Sequence, residues 1–296
     1  MSDFDPAIRN ASWWSGDSRM AAQGKASQAI LIKQGKLERE DISDQEHVRM
    51  GHVMQPIIGR LAQDKLGIEL KDADYALTHP KEQWMRSHFD FISADGSVLV
   101  EAKNYNWNTR SKFDADTGIM PDADRAQLIH EATVHQVDTI YLAVLLGGQE
   151  FITIRQDVTQ EMKDEHIKQM AVYWGHVAAG TLPEPQDTDQ CRLSYPVSTD
   201  DICVANADVE TWITALAHAQ KQRKGLEDYE DILKTKLMNA MQKKGVLQSI
   251  DGRVLATWKS AKESTRFNVD LFKNSYPEMY ASFLYTTPGS RRFNLK

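Results

Sequence analysis

The chain has 296 residues, with 35 Lys plus Arg against 42 Asp plus Glu, and a formal charge of −7 at neutral pH. At 41% hydrophobic and 26% charged, with seven Trp, nine Phe and nine Tyr, it can bury a substantial core, which excludes a disordered or fibrous chain. No apolar run approaches the roughly 18 to 20 residues of a membrane span and no apolar signal stretch opens the chain, so a cytoplasmic protein with two free thiols, Cys191 and Cys203, is expected.

The charge is uneven. Residues 205 to 296 hold 15 Lys plus Arg and 10 Asp plus Glu, a net of +5, which leaves −12 for residues 1 to 204. Leu182-Pro183-Glu184-Pro185 opens a Ser, Thr, Asp and Pro-rich stretch of linker composition. The expected organisation is a core over residues 1–186, a linker over 187–206 and a mostly helical region with one β-hairpin over 207–296.

In chain order, the first strong helix is expected from an S-x-x-E capping box at Ser43 and Glu46. Met50, Met54, Ile57, Ile58 and Leu61 follow at helical spacing, and Gly67 supplies the stop. Phe89 to Lys103 reads as two strands around Asp95-Gly96, a dipeptide suited to a two-residue type I′ turn. Asp122 to Leu146 reads as a helix ending at Gly147-Gly148, followed by a strand from Glu150 to Arg155 and a helix from Thr159 to Ala179. Beyond the linker, two helices broken near Gly225, a hairpin at Asp251-Gly252, a helix interrupted near Pro277 and a basic strand at Arg291-Arg292-Phe293 are expected. The order is that of an α/β core with a mostly α-helical extension.

The first hairpin carries chemistry. With Asp95 and Gly96 in the turn, partners have numbers that sum to 191, so Asp90 faces Glu101 and His88 faces Lys103. Alternation puts Asp90, Glu101 and Lys103 on one surface, and Phe89, Phe91, Val98, Val100 and Ala102 on the other. Opposed residues have Cβ atoms about 4.5 to 5.5 Å apart, close enough for both carboxylates to reach one Mg²⁺, with the Ala102 carbonyl as a further ligand. Such a metal polarises a phosphoryl oxygen and lowers the pKa of a bound water, and Lys103 can stabilise the developing charge, which is the chemistry of phosphodiester hydrolysis. The bland alternative is a surface salt-bridge cluster. The second Asp-Gly hairpin pairs Gln248 with Leu255 and Ile250 with Arg253, with no facing carboxylates.

Asp90 followed by Glu101-Ala102-Lys103 resembles the signature of the PD-(D/E)XK nuclease superfamily, and the surrounding order resembles its YqaJ-type viral recombinase branch. Gly51-His52-Val53-Met54-Gln55-Pro56 resembles the branch's G-x-x-x-E-P helix, His135-Gln136-Val137 its Gln-bearing helix, Phe151-Ile152-Thr153-Ile154 the strand after it, and Ser15-Gly16-Asp17-Ser18-Arg19 its Ser-containing N-terminal motif. The resemblance implies a central mixed sheet flanked by helices, with Asp90 and Glu101 as metal ligands, Lys103 as the activating group and Gln136 positioning Lys103. It implies Gln55 as a further ligand where the family usually carries glutamate, and Ser18, Arg19 and Arg9 as the residues that receive a DNA 5′ phosphate.

The activity so implied is that of a phage-encoded, Mg²⁺-dependent 5′ to 3′ exonuclease, with Mn²⁺ as a possible substitute, in the cytoplasm of a bacterial host. It would act on linear double-stranded DNA ends, make single strands for recombination, pass them to a single-strand annealing protein and work as a homo-oligomeric ring. Two rival readings are an endonuclease of the same superfamily in replication or defence, and a catalytically weakened DNA-binding or assembly module, the latter motivated by Gln55. Trp13 and Trp14 are expected as buried anchors rather than base-stacking platforms. Lys243, Lys244, Arg253, Lys259, Lys262, Arg266, Arg291 and Arg292 form either a phosphate track or a solvated face.

Overall fold

The computed structural model describes residues 6–73, 75–287 and 289–296. The chain divides into two units, Met1–Pro196 and Val197–Lys296. The first holds helices α1 (Pro6–Asn10), α2 (Ser15–Ala22), α3 (Ala26–Lys33), α4 (Glu46–Leu66), α5 (Asp122–His135), α6 (Gln160–Ala179) and α7 (Thr188–Ser194). Its strands are β1 (Trp13–Trp14), β2 (Leu70–Asp72), β3 (Ala76–Thr78), β4 (Met85–His88), β5 (Phe91–Ser93), β6 (Val98–Tyr105), β7 (Thr139–Leu146) and β8 (Glu150–Asp157).

A five-stranded sheet runs in the order β2-β5-β6-β7-β8, and β1, β4 and β3 form a smaller sheet. In the large sheet β6 and β7 pair in parallel and every other neighbour is antiparallel. A parallel pair needs a crossover, and α5 supplies it. On one face α4 lays Ile58 and Ala62 on Phe91, Val100, Ala143 and Leu145. On the other, Leu128 and Ala132 of α5 pack with Leu99, Ile140, Leu142, Val144 and Leu146. Helix, mixed sheet, helix is the α/β architecture that the resemblance implied. Gly59 permits the close approach of α4, because a Cβ there would fall 2.4 to 2.9 Å from the Phe91 ring atoms.

The hairpin register is as the arithmetic expects, with Phe91 opposite Val100 and Ile92 opposite Leu99. The turn itself is wider. Gly96 alone has positive φ, at 76°, and its N–H donates to the Ser93 carbonyl, so the connection is a type I-like turn rather than type I′, which needs positive φ at Asp95 as well. The Ser93 hydroxyl accepts from Val98 N–H and stands in for a ladder bond. The expected split into a core face and a polar face also fails. Phe89 belongs with Leu99 under α5, whereas Phe91 and Val100 face α4, so both faces of the hairpin are buried. His88 pairs with Ala76 of β3, not with Lys103, because the chain leaves the small sheet at His88 and enters the large one at Phe91.

The expected helix from Asp122 to Leu146 is half helix and half strand. Gln136 takes the left-handed conformation at φ 67° and ends α5, and residues 139–146 become β7. A run buried on both faces lacks the alternation that marks a strand, so its periodicity is equally compatible with a helix. At α4 the cap is Gln45 rather than Ser43, whose N–H turns back to the Asp41 carboxylate, while Gly67 ends the helix in the left-handed conformation as expected. Asp187 caps α7 within the linker-like stretch by accepting from Gln190 N–H.

The second unit contains α8 (Ala207–Met241), strands β9 (Val246–Gln248) and β10 (Val254–Thr257), α9 (Val269–Ser275) and α10 (Pro277–Ser282). Helix α8 runs unbroken through Gly225. An internal glycine costs only about 1 kcal/mol, and Arg223 with Glu227 spans the position as an i,i+4 ion pair. The β9–β10 pairs Ala256–Leu247 and Thr257–Val246 keep the expected sum of 503, and an irregularity at Leu255 shifts Val254 onto Gln248. Residues 291–293 form no strand. Among the described residues no helix is long and apolar enough to cross a membrane.

Candidate active site

Strand β6 lies between β5 and β7, and its side chains at Glu101, Lys103 and Tyr105 point towards α5. Glu101 is buried and Lys103 half-buried, and the Lys103 ammonium donates to Glu101 Oε1 at 2.5 Å. Asp90 sits in the bend between β4 and β5. Its Oδ2 accepts from Ala102 N–H at 2.9 Å and its Oδ1 from Gln55 Nε2 at 2.9 Å. The N–H and C=O of one strand residue point to the same side, so the Ala102 carbonyl also lies on the Asp90 side of β6, past the end of the β5 ladder.

Asp90 and Glu101 are close enough for a side-chain hydrogen bond. Burial, and then the Glu101 charge, raise the Asp90 pKa well above the ordinary carboxylate value. Burial opposes the Lys103 charge, but Glu101 and Asp90 outweigh it and hold the ammonium above the usual lysine pKa. Two desolvated carboxylates in contact repel unless a proton or a cation lies between them.

Two residues absent from the sequence expectations complete this cluster. Gln127 of α5 donates one N–H to Glu101 Oε1 at 2.6 Å and the other to Glu131 Oε1 at 2.9 Å. Glu131 is fully buried one helical turn on, and burial followed by the Glu101 charge raises its pKa well above the usual value. Tyr105, two residues beyond Lys103, donates to Asp124 Oδ1 at 2.7 Å; burial, and then the Asp124 charge, push its phenol up to about 12. The signal for Gln127 and Glu131 was their i,i+4 spacing beside Leu128 and Ala132, polar groups on the apolar face of a helix.

Gln136 is elsewhere. It lies past the end of α5, bonded to the Thr133 carbonyl at 2.5 Å and to His79 Nε2 at 3.0 Å. It does not touch Lys103, and the glutamine beside the cluster is Gln127. Nine residues are two and a half helical turns, so 127 and 136 cannot share a face.

The expected 5′-end residues are also placed differently from the expectation. Ser15-Gly16-Asp17-Ser18-Arg19 is helical, within α2. Ser18 is buried: its hydroxyl accepts from Trp13 Nε1 and bonds His130 Nδ1 at 2.8 Å. Arg19 is ion-paired with Asp124 and donates to the Tyr105 hydroxyl at 2.9 Å. The Arg9 guanidinium lies 4.6 Å from the Trp14 ring centroid, and Trp13 and Trp14 are both buried anchors.

The donor set suits magnesium. Among the described residues no group of three or more His, Cys, Asp or Glu side chains could hold a metal ion. Mg²⁺ takes one or two carboxylates and fills its remaining positions with water and substrate phosphate, and here the pair is Asp90 and Glu101, with the Ala102 carbonyl adjacent. Gln55 as placed donates to Asp90, so its carbonyl oxygen would have to turn inward to join them.

No family model matches the chain, and no curated protein matches its sequence. Solved structures similar to it include an alkaline exonuclease, LHK-Exo, from Laribacter hongkongensis, at 12% identity and a TM-score of 0.47 over 59% of this chain and 91% of that one. The same enzyme in complex with dAMP matches at 14% identity and 0.47, over 60% and 94%. A phage-related exonuclease from Haemophilus somnus 129PT matches at 12% identity and 0.40, over 54% and 81%. With TM-scores below 0.5 these stand as likenesses only, and the fold and site rest on the strands and side chains described above.

Proposed function

We propose that this chain is a Mg²⁺-dependent deoxyribonuclease, acting as a 5′ to 3′ exonuclease on linear duplex ends to make single strands for recombination. The observation that carries the reading is the close approach of the Asp90 carboxyl group to the buried Glu101 carboxylate beside the Lys103 ammonium. A divalent ion bound by that pair would polarise the phosphoryl oxygen and lower the pKa of an attacking water.

The chain's own groups do the rest. Ala102 N–H and Gln55 fix both oxygens of Asp90, and Gln127 with Lys103 fixes Glu101. Held charged by its two carboxylates, Lys103 acts as a cation facing the negative charge that develops on phosphate, rather than as a base. The attacking water's oxygen bonds to phosphorus and releases a proton to solvent, the bond from phosphorus to the sugar oxygen breaks, and that oxygen takes up a proton from solvent, so the proton count is unchanged.

One observation favours an endonuclease as a second reading: Ser18 is buried and Arg19 is already paired with Asp124, so neither is presented to a strand end as it stands. Linear duplex with a 5′ phosphate, linear duplex with a 5′ hydroxyl and a covalently closed circle, each with Mg²⁺ and with EDTA, separate the readings. Degradation of the phosphorylated linear duplex in Mg²⁺ alone is expected. Equal cutting of the circle overturns the exonuclease mode, and equal cutting in EDTA overturns metal dependence.

A further inference from the structure

Glu131 stands where a carboxyl group is hardest to keep. It is 2% exposed, on a turn of α5 whose neighbours Leu128 and Ala132 belong to the core. The charge that acts on it most is that of Glu101, a second acid. The Lys103 ammonium acts on it less and is bonded to Glu101 instead, at 2.5 Å. A methionine side chain of similar length would fill the same space with nothing to desolvate and no like charge to face. Glu131 therefore lowers the stability of the first unit, and packing does not explain its presence.

What the carboxyl group does is hold an amide. Gln127 has three rotatable side-chain bonds, and its amide has a donor end and an acceptor end. Its Nε2 gives one N–H to Glu101 Oε1 at 2.6 Å and the other to Glu131 Oε1 at 2.9 Å. Positions 127 and 131 are one turn apart on α5, so the two side chains meet on one face of the helix. With an acceptor at each N–H, the amide cannot turn its oxygen towards Glu101 without setting oxygen against oxygen at both places. The bond to Glu101 alone would leave the amide plane free to swing about it.

We propose that Glu131 is a positioning residue for the cation site: it anchors Gln127, and Gln127 in turn holds the Glu101 carboxylate in place for a divalent ion. The inference rests on the nuclease reading and adds to it a residue that touches neither metal nor substrate. Glu131 works by accepting a hydrogen bond rather than by its charge, since burial and the Glu101 charge both favour its neutral form.

Mg²⁺ binding to the full-length chain without DNA, measured by titration calorimetry, tests it. Glu131→Met should bind Mg²⁺ about 10- to 100-fold more weakly than wild type, although its urea midpoint without metal is higher. A purely structural residue would not give weaker binding together with greater stability. Glu131→Gln keeps an acceptor for Gln127 and should bind nearly as well as wild type. Gln127→Ala should lose a similar factor to Glu131→Met, and the double variant should lose no more than Gln127→Ala alone, because one residue acts through the other. Undiminished binding or a lower urea midpoint in Glu131→Met, an equal loss in Glu131→Gln, or losses that multiply in the double variant overturn the inference and leave the nuclease reading standing. A wild-type chain that binds no Mg²⁺ overturns both.

Discussion

Acidification should unfold the first unit through two buried imidazoles. His130 is fully buried, and its Nε2 lies 3.1 Å from the Arg86 carbonyl, which can only accept, so Nε2 carries the proton. Nδ1 is then the acceptor for the Ser18 hydroxyl at 2.8 Å, with His166 Nε2 3.1 Å away. Burial, with smaller effects from the His79 and Lys33 charges, lowers the His130 pKa from 6.5 to about 3, and burial followed by the His130 charge takes His166 well below 6.5. In the unfolded chain both protonate near 6.5, so below that pH the unfolded state binds more protons. The stability these groups contribute is complete above about pH 6.5 and is lost as pH falls towards 3, at about 1.4 kcal/mol per pH unit per histidine. Two pH units remove about 3 kcal/mol for His130 alone, a large part of the roughly 5 to 15 kcal/mol by which domains are stable. Asp90 and Glu131 act in the opposite sense, since their raised pKa values let the folded state take up protons first, so the histidine contribution must be isolated by difference. Urea unfolding at several pH values from 7 down to 4.5, followed by the fluorescence of buried Trp13 and Trp14, gives stability against pH. His130→Gln should lower the absolute stability and flatten that slope by about one proton. An identical slope in wild type and variant would refute the reasoning.

Lys103→Ala and Glu101→Ala should each lower DNA cleavage by about 10²- to 10⁴-fold while leaving the circular dichroism spectrum unchanged; full activity in either removes the cluster from catalysis. Gln127→Ala should cost about 10- to 100-fold in rate by releasing Glu101, and Gln136→Ala should leave the rate near wild type; the reverse order would restore the expectation drawn from family resemblance. Gly59→Ala drives a methyl into the Phe91 ring and should destabilise the first unit by about 1 to 3 kcal/mol, read as a lower urea midpoint at unchanged slope.

What the sequence revealed and concealed divides by the range of the forces involved. The hairpin register was legible because an Asp-Gly turn fixes strand partners by counting, and this brought Asp90, Glu101 and Lys103 together before any tertiary contact was known. Gly67 was legible as a stop because left-handed backbone favours glycine. Residues 139–146 were not, because a strand covered on both faces has no polar alternation to distinguish it from a helix. Gln127 and Glu131 were hidden for the same reason: with a helix running through to Leu146, Gln136 is an interior position and nothing in the pattern marks the turn at 127–131 as the one that meets Glu101. Ser18 and Asp124 are settled by packing between elements more than 100 residues apart, which local pattern does not encode.

The two carboxylates have unequal foundations. Glu101 belongs to a strand paired on both sides, so its position is fixed by its neighbours' hydrogen bonds, whereas Asp90 occupies the step where the backbone passes from the small sheet to the large one. A single inserted or deleted residue at Phe89 would carry Asp90 away and leave Glu101 and Lys103 in place. A change that disperses the cluster should therefore act at that step more readily than in β6, and would leave the Glu-x-Lys half held in place by the sheet.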